Sequence, residues 1–235
     1  MRYWLVMPAA GAGRRFGGAK QFASISQRTV LELALQPFAD DAQCLGGAIV
    51  LAPGEPRRAQ LAQSVPARFE LIDGGVTRAE SVIHGLAGLA RRAASEDWVL
   101  VHDAARPCLS SADLARLLAA ASEHSHGALL AVPVADTVKQ ALPCGSGESA
   151  QCGATLSRDG LWLAQTPQMF RHGALHSALE HARALGRTPT DEAQAMEWQG
   201  VSAQLIQARD ANIKVTNAAD LLLAQAILQA RGQLP

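Results

Sequence analysis

Short apolar runs of strand length alternate along this chain with longer segments of helical period, and that rhythm constrains the fold more than any other feature. Residues 3–7 (YWLVM), 47–51 (GAIVL), 69–72 (FELI), 98–101 (WVLV) and 128–132 (ALLAV) are bounded by turn residues and read as buried strands. Between them, residues 29–39, 55–64, 78–93 and 111–124 carry helical spacing. Two starts are legible: Thr77-Arg78-Ala79-Glu80 fits a capping box, and Ser110-Ser111-Ala112-Asp113 is a looser version. Such alternation predicts parallel strands joined by right-handed crossovers. A length of 235 residues suits a single large α/β domain over 1–235.

After residue 132 the rhythm breaks. Residues 133–160 contain Pro133, Pro143, Gly145, Gly147, Gly153 and Gly160 and little apolar content. That is long for a loop inside a compact domain. It predicts an excursion, a β-arm at about 137–158 that packs on a partner subunit; a plain surface loop is the competing reading. The pattern resumes with a strand at 161–165, helices at 173–185 and 191–198, strands at 203–207 and 212–216, and a closing helix at 218–231 capped by Asn217.

Composition narrows the chemistry. Lys+Arg and Asp+Glu are both 21, so the formal net charge is zero, which argues against a general nucleic-acid binder. Cys44, Cys108, Cys144 and Cys152 show no metal-ligand spacing, and reduced thiols in a cytoplasmic protein are expected. The opening MRYWLVMPAAG is broken by Pro8 too early for a secretory leader, and no run approaches the ~18 apolar residues of a membrane span.

Charge is instead concentrated locally. Directly after the first strand stands PAAGAGRRFGGAKQ, residues 8–21, with four glycines, two arginines and a lysine. Ligands of open α/β sheets bind beyond the carboxyl ends of the strands. Gly11 and Gly13 permit a tight turn whose amides can cradle phosphate oxygens, and Arg14, Arg15 and Lys20 add charge-assisted donors. The stretch is neither familiar glycine motif. Gln21 follows Lys20 where a Walker A loop needs Gly-Lys-[Ser/Thr], and Phe16 stands at the third glycine of a dinucleotide fingerprint.

Pro8-Ala9-Ala10-Gly11-Ala12-Gly13-x-Arg15 with Lys20-Gln21 resembles the signature loop of nucleotidyltransferases. Further segments resemble, in order, the 2-C-methyl-D-erythritol 4-phosphate cytidylyltransferase family. They are Asp73-Gly74-Gly75-x-x-Arg78-x-x-Ser81-Val82, Val101-His102-Asp103-Ala104-Ala105-Arg106-Pro107, Thr166-Pro167-Gln168, Thr190-Asp191-Glu192-Ala193 and Asn212-Ile213-Lys214-Val215-Thr216.

The resemblance implies a Rossmann-like, mostly parallel three-layer α/β sandwich of the nucleotide-diphospho-sugar transferase type. It implies transfer of CMP from CTP to a methylerythritol phosphate, with Mg²⁺ carried chiefly by the triphosphate. Arg15, Lys20 and Lys214 would be catalytic. Taken alone, Lys214 reads equally well as a solvated strand residue. Ala9, Ala10, Gly11, Gly13, Gly74, Gly75, Ser81, Asp103 and Ala104 would bind the nucleotide, with Asp103 also the candidate metal ligand. Arg106, Asp136, Thr137, Arg158 and Thr190 would bind the acceptor, Arg158 reaching across a homodimer. Val76 and Thr77 depart from the acidic or polar residues of many relatives. A cytidylyltransferase for another polyol phosphate, such as ribitol 5-phosphate, and a non-catalytic nucleotide-binding protein are the alternatives.

Overall fold

The computed structural model describes residues 1–11, 13, 16–123, 126–142 and 150–234. In chain order the strands are β1 (Tyr3–Pro8), β2 (Ser24–Ile25), β3 (Arg28–Thr29), β4 (Cys44–Leu51), β5 (Phe69–Asp73), β6 (Trp98–Val101), β7 (Ala128–Pro133), β8 (Val138–Ala141), β9 (Cys152–Leu156), β10 (Trp162–Arg171) and β11 (Gln204–Gln207). The helices are α1 (Val30–Ala39), α2 (Arg58–Ser64), α3 (Arg78–Leu89), α4 (Ser111–Glu123), α5 (His172–Ala184), α6 (Glu192–Glu197) and α7 (Ala218–Ala230).

Seven strands form one sheet in the order β11-β7-β10-β6-β1-β4-β5. β1 pairs in parallel with β4 and β6, β4 with β5, and β11 with β7. β10 runs antiparallel to both its neighbours. Side chains alternate across the sheet at the two-residue strand period. Tyr3, Leu5 and Met7 therefore join one core layer with Leu31 and Phe38 of α1 and Leu117 of α4. Trp4 and Val6 join the other, with Val82 and Leu86 of α3 and Leu175 and Leu179 of α5. With both faces covered, the inner strands are apolar throughout, which is why they read as unbroken hydrophobic runs. This is the Rossmann-like three-layer sandwich that the sequence implies.

Helix starts follow the local code. Thr29, Thr77 and Asn217 each form a full capping box, with Glu32, Glu80 and Asp220. Ser110 Oγ accepts from the Asp113 amide at 3.1 Å, but the Asp113 carboxylate turns away to accept from the amides of Arg209 and Asp210. That box is therefore only half formed.

Four elements differ from expectation. The helices read as 55–64 and 78–93 are the shorter α2 and α3, because the chain coils into turns at Glu55–Arg57 and again after Leu89. The strand read as 161–165 is the ten-residue β10, which continues through Pro167. Pro167 has no amide to donate, and the ladder to β7 shifts register between Ala164 and Gln168, around it. Residues 212–216 are not a strand. Val215 makes a single backbone bond to the Ala105 carbonyl at 2.8 Å, and Asn212 Nδ2 donates to the Thr166 carbonyl at 2.8 Å. The segment crosses the end of β6 and is anchored by buried Val215 in a small cluster with Ile25, Val30 and Leu228.

The predicted excursion contains a separate two-stranded antiparallel ribbon, β8 with β9, outside the main sheet. Among the described residues no helix is long and apolar enough to cross a membrane. Cys44 and Cys108 are buried free thiols and Cys152 an exposed one; Cys144 lies outside the described residues.

Candidate functional site

β1 and β6 lie side by side, with β4 and β5 beyond one and β10, β7 and β11 beyond the other. The crevice past their carboxyl ends is the switch point at which open α/β sheets bind ligands. The loop after β1 fills one wall. Gly13 sits at φ +62°, and a Cβ there would run into the Gly18 carbonyl, so glycine is required. Its own carbonyl accepts from the Phe16 amide at 2.8 Å and the Gly18 amide at 3.3 Å. Buried Gln21 staples the loop from within: its Nε2 donates to the carbonyls of Ala9 at 2.7 Å and Gly11 at 3.2 Å. Those two carbonyls are thereby satisfied within the loop.

The result is a pocket of about 340 Å³. Ala9, Ala10, Gly11, Gly13, Lys20, Gly75, Ser81, Asp103, Ala104 and Lys214 all line it, so segments from both ends of the chain converge there as the sequence implies. Arg15 lies outside the described residues. Gly74 is packed beneath the wall: its amide donates to the Leu51 carbonyl at 2.7 Å, and a Cβ would come within 2.7 Å of Ser81 Oγ and 2.9 Å of the Ala10 methyl. Ser81 Oγ donates to the Thr77 carbonyl at 3.0 Å and accepts from the Gly75 amide at 3.2 Å, fixing that turn. Val76 stands almost fully exposed on the rim, and the Thr77 hydroxyl is engaged as the cap of α3.

Asp103 is the electrostatic centre. Its carboxylate accepts from Arg78 Nε at 3.0 Å and Lys214 Nζ at 2.6 Å, and Arg106 Nε lies 4.0 Å away. Burial by itself would raise this carboxyl's pKa. Arg78, then Lys214 and Arg106, outweigh it and hold the group far below the usual carboxylate range, so Asp103 is an anion. Its amide donates to Thr166 Oγ1 at 3.0 Å, and Thr166 Oγ1 lies 3.1 Å from His102 Nδ1. Burial lowers the His102 pKa to about 4, and its Nε2 meets the Arg106 carbonyl at 3.1 Å. A neutral His102 thus braces the backbone on which Asp103 stands.

Arg106 is partly buried and donates from Nη1 to the Asn212 carbonyl at 2.8 Å; its Nε is buried without a hydrogen-bond partner. Asp136, Thr137 and Arg158 are exposed at the root of the ribbon, where Arg158 Nη1 donates to the Ala135 carbonyl. Thr190 is exposed before α6, its amide donating to Gln194 Oε1 at 2.8 Å. None of these five lines the pocket among the described residues.

The site does not fit a metal ion held by the protein. No group of three or more His, Cys, Asp or Glu converges among the described residues, and both Asp103 oxygens already accept from cations. What the pocket suits is a polyanion: the glycine loop lines it with lysines from two segments, one of which, Lys214, is held by a fixed carboxylate.

Sequence reasoning assigned no role to Arg78, Glu192 or Gln21. All three lie inside the matched segments, but Arg78 and Glu192 stand 114 residues apart, so no periodicity could reveal their pairing.

Comparison with known proteins agrees. A family profile described as 2-C-methyl-D-erythritol 4-phosphate cytidylyltransferase matches residues 3–230. The chain is 48% identical over 240 residues to the protein of that name from Acidithiobacillus ferrooxidans, covering 99% of this chain and 98% of that one. It is 46% identical to the one from Ectopseudomonas mendocina, covering 94% and 93%. Among solved structures it is similar to a 4-diphosphocytidyl-2C-methyl-D-erythritol synthase, with a TM-score of 0.82 and 38% identity over 97% of this chain and 99% of that one. The cytidylyltransferase from Francisella tularensis matches with a TM-score of 0.80 and 31% identity over 97% and 100%. The chain belongs to the 2-C-methyl-D-erythritol 4-phosphate cytidylyltransferase family.

Proposed function

We propose that this protein transfers CMP from CTP to 2-C-methyl-D-erythritol 4-phosphate, giving 4-diphosphocytidyl-2-C-methyl-D-erythritol and pyrophosphate, in the non-mevalonate route to isoprenoid precursors. The observation that carries the reading is that Lys20 and Lys214, from opposite ends of the chain, line one pocket with the glycine loop. An acceptor phosphate oxygen attacks the α-phosphorus of CTP, a new P–O bond forms, and the bond to the β-phosphate oxygen breaks with its electron pair leaving on pyrophosphate. Two polyanions must meet, so catalysis is chiefly alignment and charge stabilisation. Lys20, with Arg15, serves the triphosphate, while Lys214, steered by Asp103, serves the α-phosphate. Ala9, Ala10, Gly75 and Ala104 are small enough to let the nucleoside approach the main chain. The donor set argues for Mg²⁺ arriving with CTP, as part of the substrate.

The acceptor residues point to a homodimer. Asp136, Thr137 and Arg158 sit by the ribbon rather than at their own chain's pocket, and Leu142, Leu156, Leu161 and Leu163 are exposed on or beside it. Docked on a second copy, the ribbon would bury these leucines and carry Arg158 towards the partner's acceptor phosphate. Arg106 and Thr190 would complete that site.

Pyrophosphate release from CTP tests the reaction, with methylerythritol phosphate and ribitol 5-phosphate as parallel acceptors. Turnover is expected with the first. Turnover confined to ribitol 5-phosphate would reassign the substrate, and none with either would remove the proposal.

A further inference from the structure

Arg78 joins two buried carboxylates from distant parts of the chain. Its Nη1 and Nη2 donate to Glu192 Oε1 and Oε2 at 2.7 and 3.1 Å, a two-pronged pairing. Its Nε donates to Asp103 Oδ1 at 3.0 Å. Glu192 is 1% exposed and opens α6; Asp103 is 6% exposed and holds Lys214 Nζ at 2.6 Å through its other oxygen. Arg78 is the first residue of α3, whose start is locked by the Thr77–Glu80 box. A row of alternating charge therefore runs from Glu192, behind the pocket, through Arg78 and Asp103 to Lys214, which line it.

We infer that Arg78 is a positioning residue for the transfer reaction: it fixes the orientation of the Asp103 carboxylate, and through it the place of the Lys214 ammonium. The planar guanidinium suits this because it donates in several fixed directions at once. A lysine is a point charge and cannot satisfy both carboxylates in that geometry. When Lys214 turns to a bound α-phosphate, Asp103 still has Arg78 as its partner, so no unpaired carboxylate is left buried. The inference rests on the proposed activity of this same pocket.

A merely structural role would consist of neutralising Glu192, and the two roles separate experimentally. The variants are Arg78→Met, Arg78→Lys and the double variant Arg78→Met/Glu192→Met, which removes both charges and replaces the buried pair with apolar groups. Wild-type turnover of CTP with methylerythritol phosphate is the control, and its failure would strike the functional proposal alone. The expected result is that the double variant melts within a few degrees of wild type, while its kcat stays at least tenfold lower and its KM for CTP moves less than threefold. Arg78→Lys is expected to keep the kcat defect. Recovery of wild-type kcat in the double variant, or full rescue by lysine, would overturn the role. So would a defect confined to KM.

Discussion

At the residue scale the site is ruled by where charge is buried. Lys214 lies beside Asp103 and Lys20 lines the opposite loop. Replacing either with alanine is expected to lower kcat by about two decades, equivalent to about 3 kcal/mol of lost transition-state stabilisation, in a steady-state pyrophosphate-release assay. His102 supplies a second test. Burial lowers its pKa to about 4 from an ordinary value near 6.5. The unfolded chain therefore binds the extra proton first, and stability present above pH 6.5 is lost as pH falls towards 4. This group alone should remove about 2 kcal/mol between pH 7 and 5, and His102→Gln should flatten that part of a urea-denaturation pH series. The cationic loop, the turn at Gly74–Gly75 and the Asp103 segment were all legible as sequence, because each is a run of neighbouring residues. The Arg78–Glu192 pairing was not, since it depends on how α3 and α6 are brought together, and the inward bonds of Gln21 were not, since they depend on how the loop after β1 folds back on itself.

At the element scale, the strands and most helix starts were legible because burial on both faces and capping chemistry are local signals. Thr77 illustrates the second: its hydroxyl accepts from the Glu80 amide at 3.1 Å, at the mouth of the pocket. Thr77→Ala is expected to cost about 1 kcal/mol and lower Tm by roughly 2–4 °C in a thermal melt. The segment 212–216 misled because it alternates like a strand. Its hydrogen bonds go instead to the loop after β6 and to the Thr166 carbonyl, and its buried Val215 packs beside α7. No local pattern distinguishes such a crossing from an edge strand. β10 was underestimated for the converse reason, since Pro167 reads as a stop although the strand passes it with a register shift.

At the scale of the whole molecule, the sheet order places the loops after β1 and β6 on one rim, while the ribbon of β8 and β9 stands apart from that sheet. Sedimentation is expected to give about twice the chain mass of 24.7 kDa. Deleting residues 140–157 should yield a monomer with little transferase activity, and a fully active monomer would refute the shared site. Chelation by EDTA should stop turnover, yet dialysed protein without nucleotide should retain no stoichiometric divalent ion, because no three His, Cys, Asp or Glu side chains converge among the described residues. The central claim is that the pocket after β1 holds CTP while a second phosphate attacks it. The most direct measurement is pyrophosphate release by purified protein given CTP, Mg²⁺ and methylerythritol phosphate, beside Lys20→Ala. Release is expected to require the acceptor and to fall about a hundredfold in the variant; release that is absent, or that proceeds undiminished without Lys20, would rule out this role for the pocket.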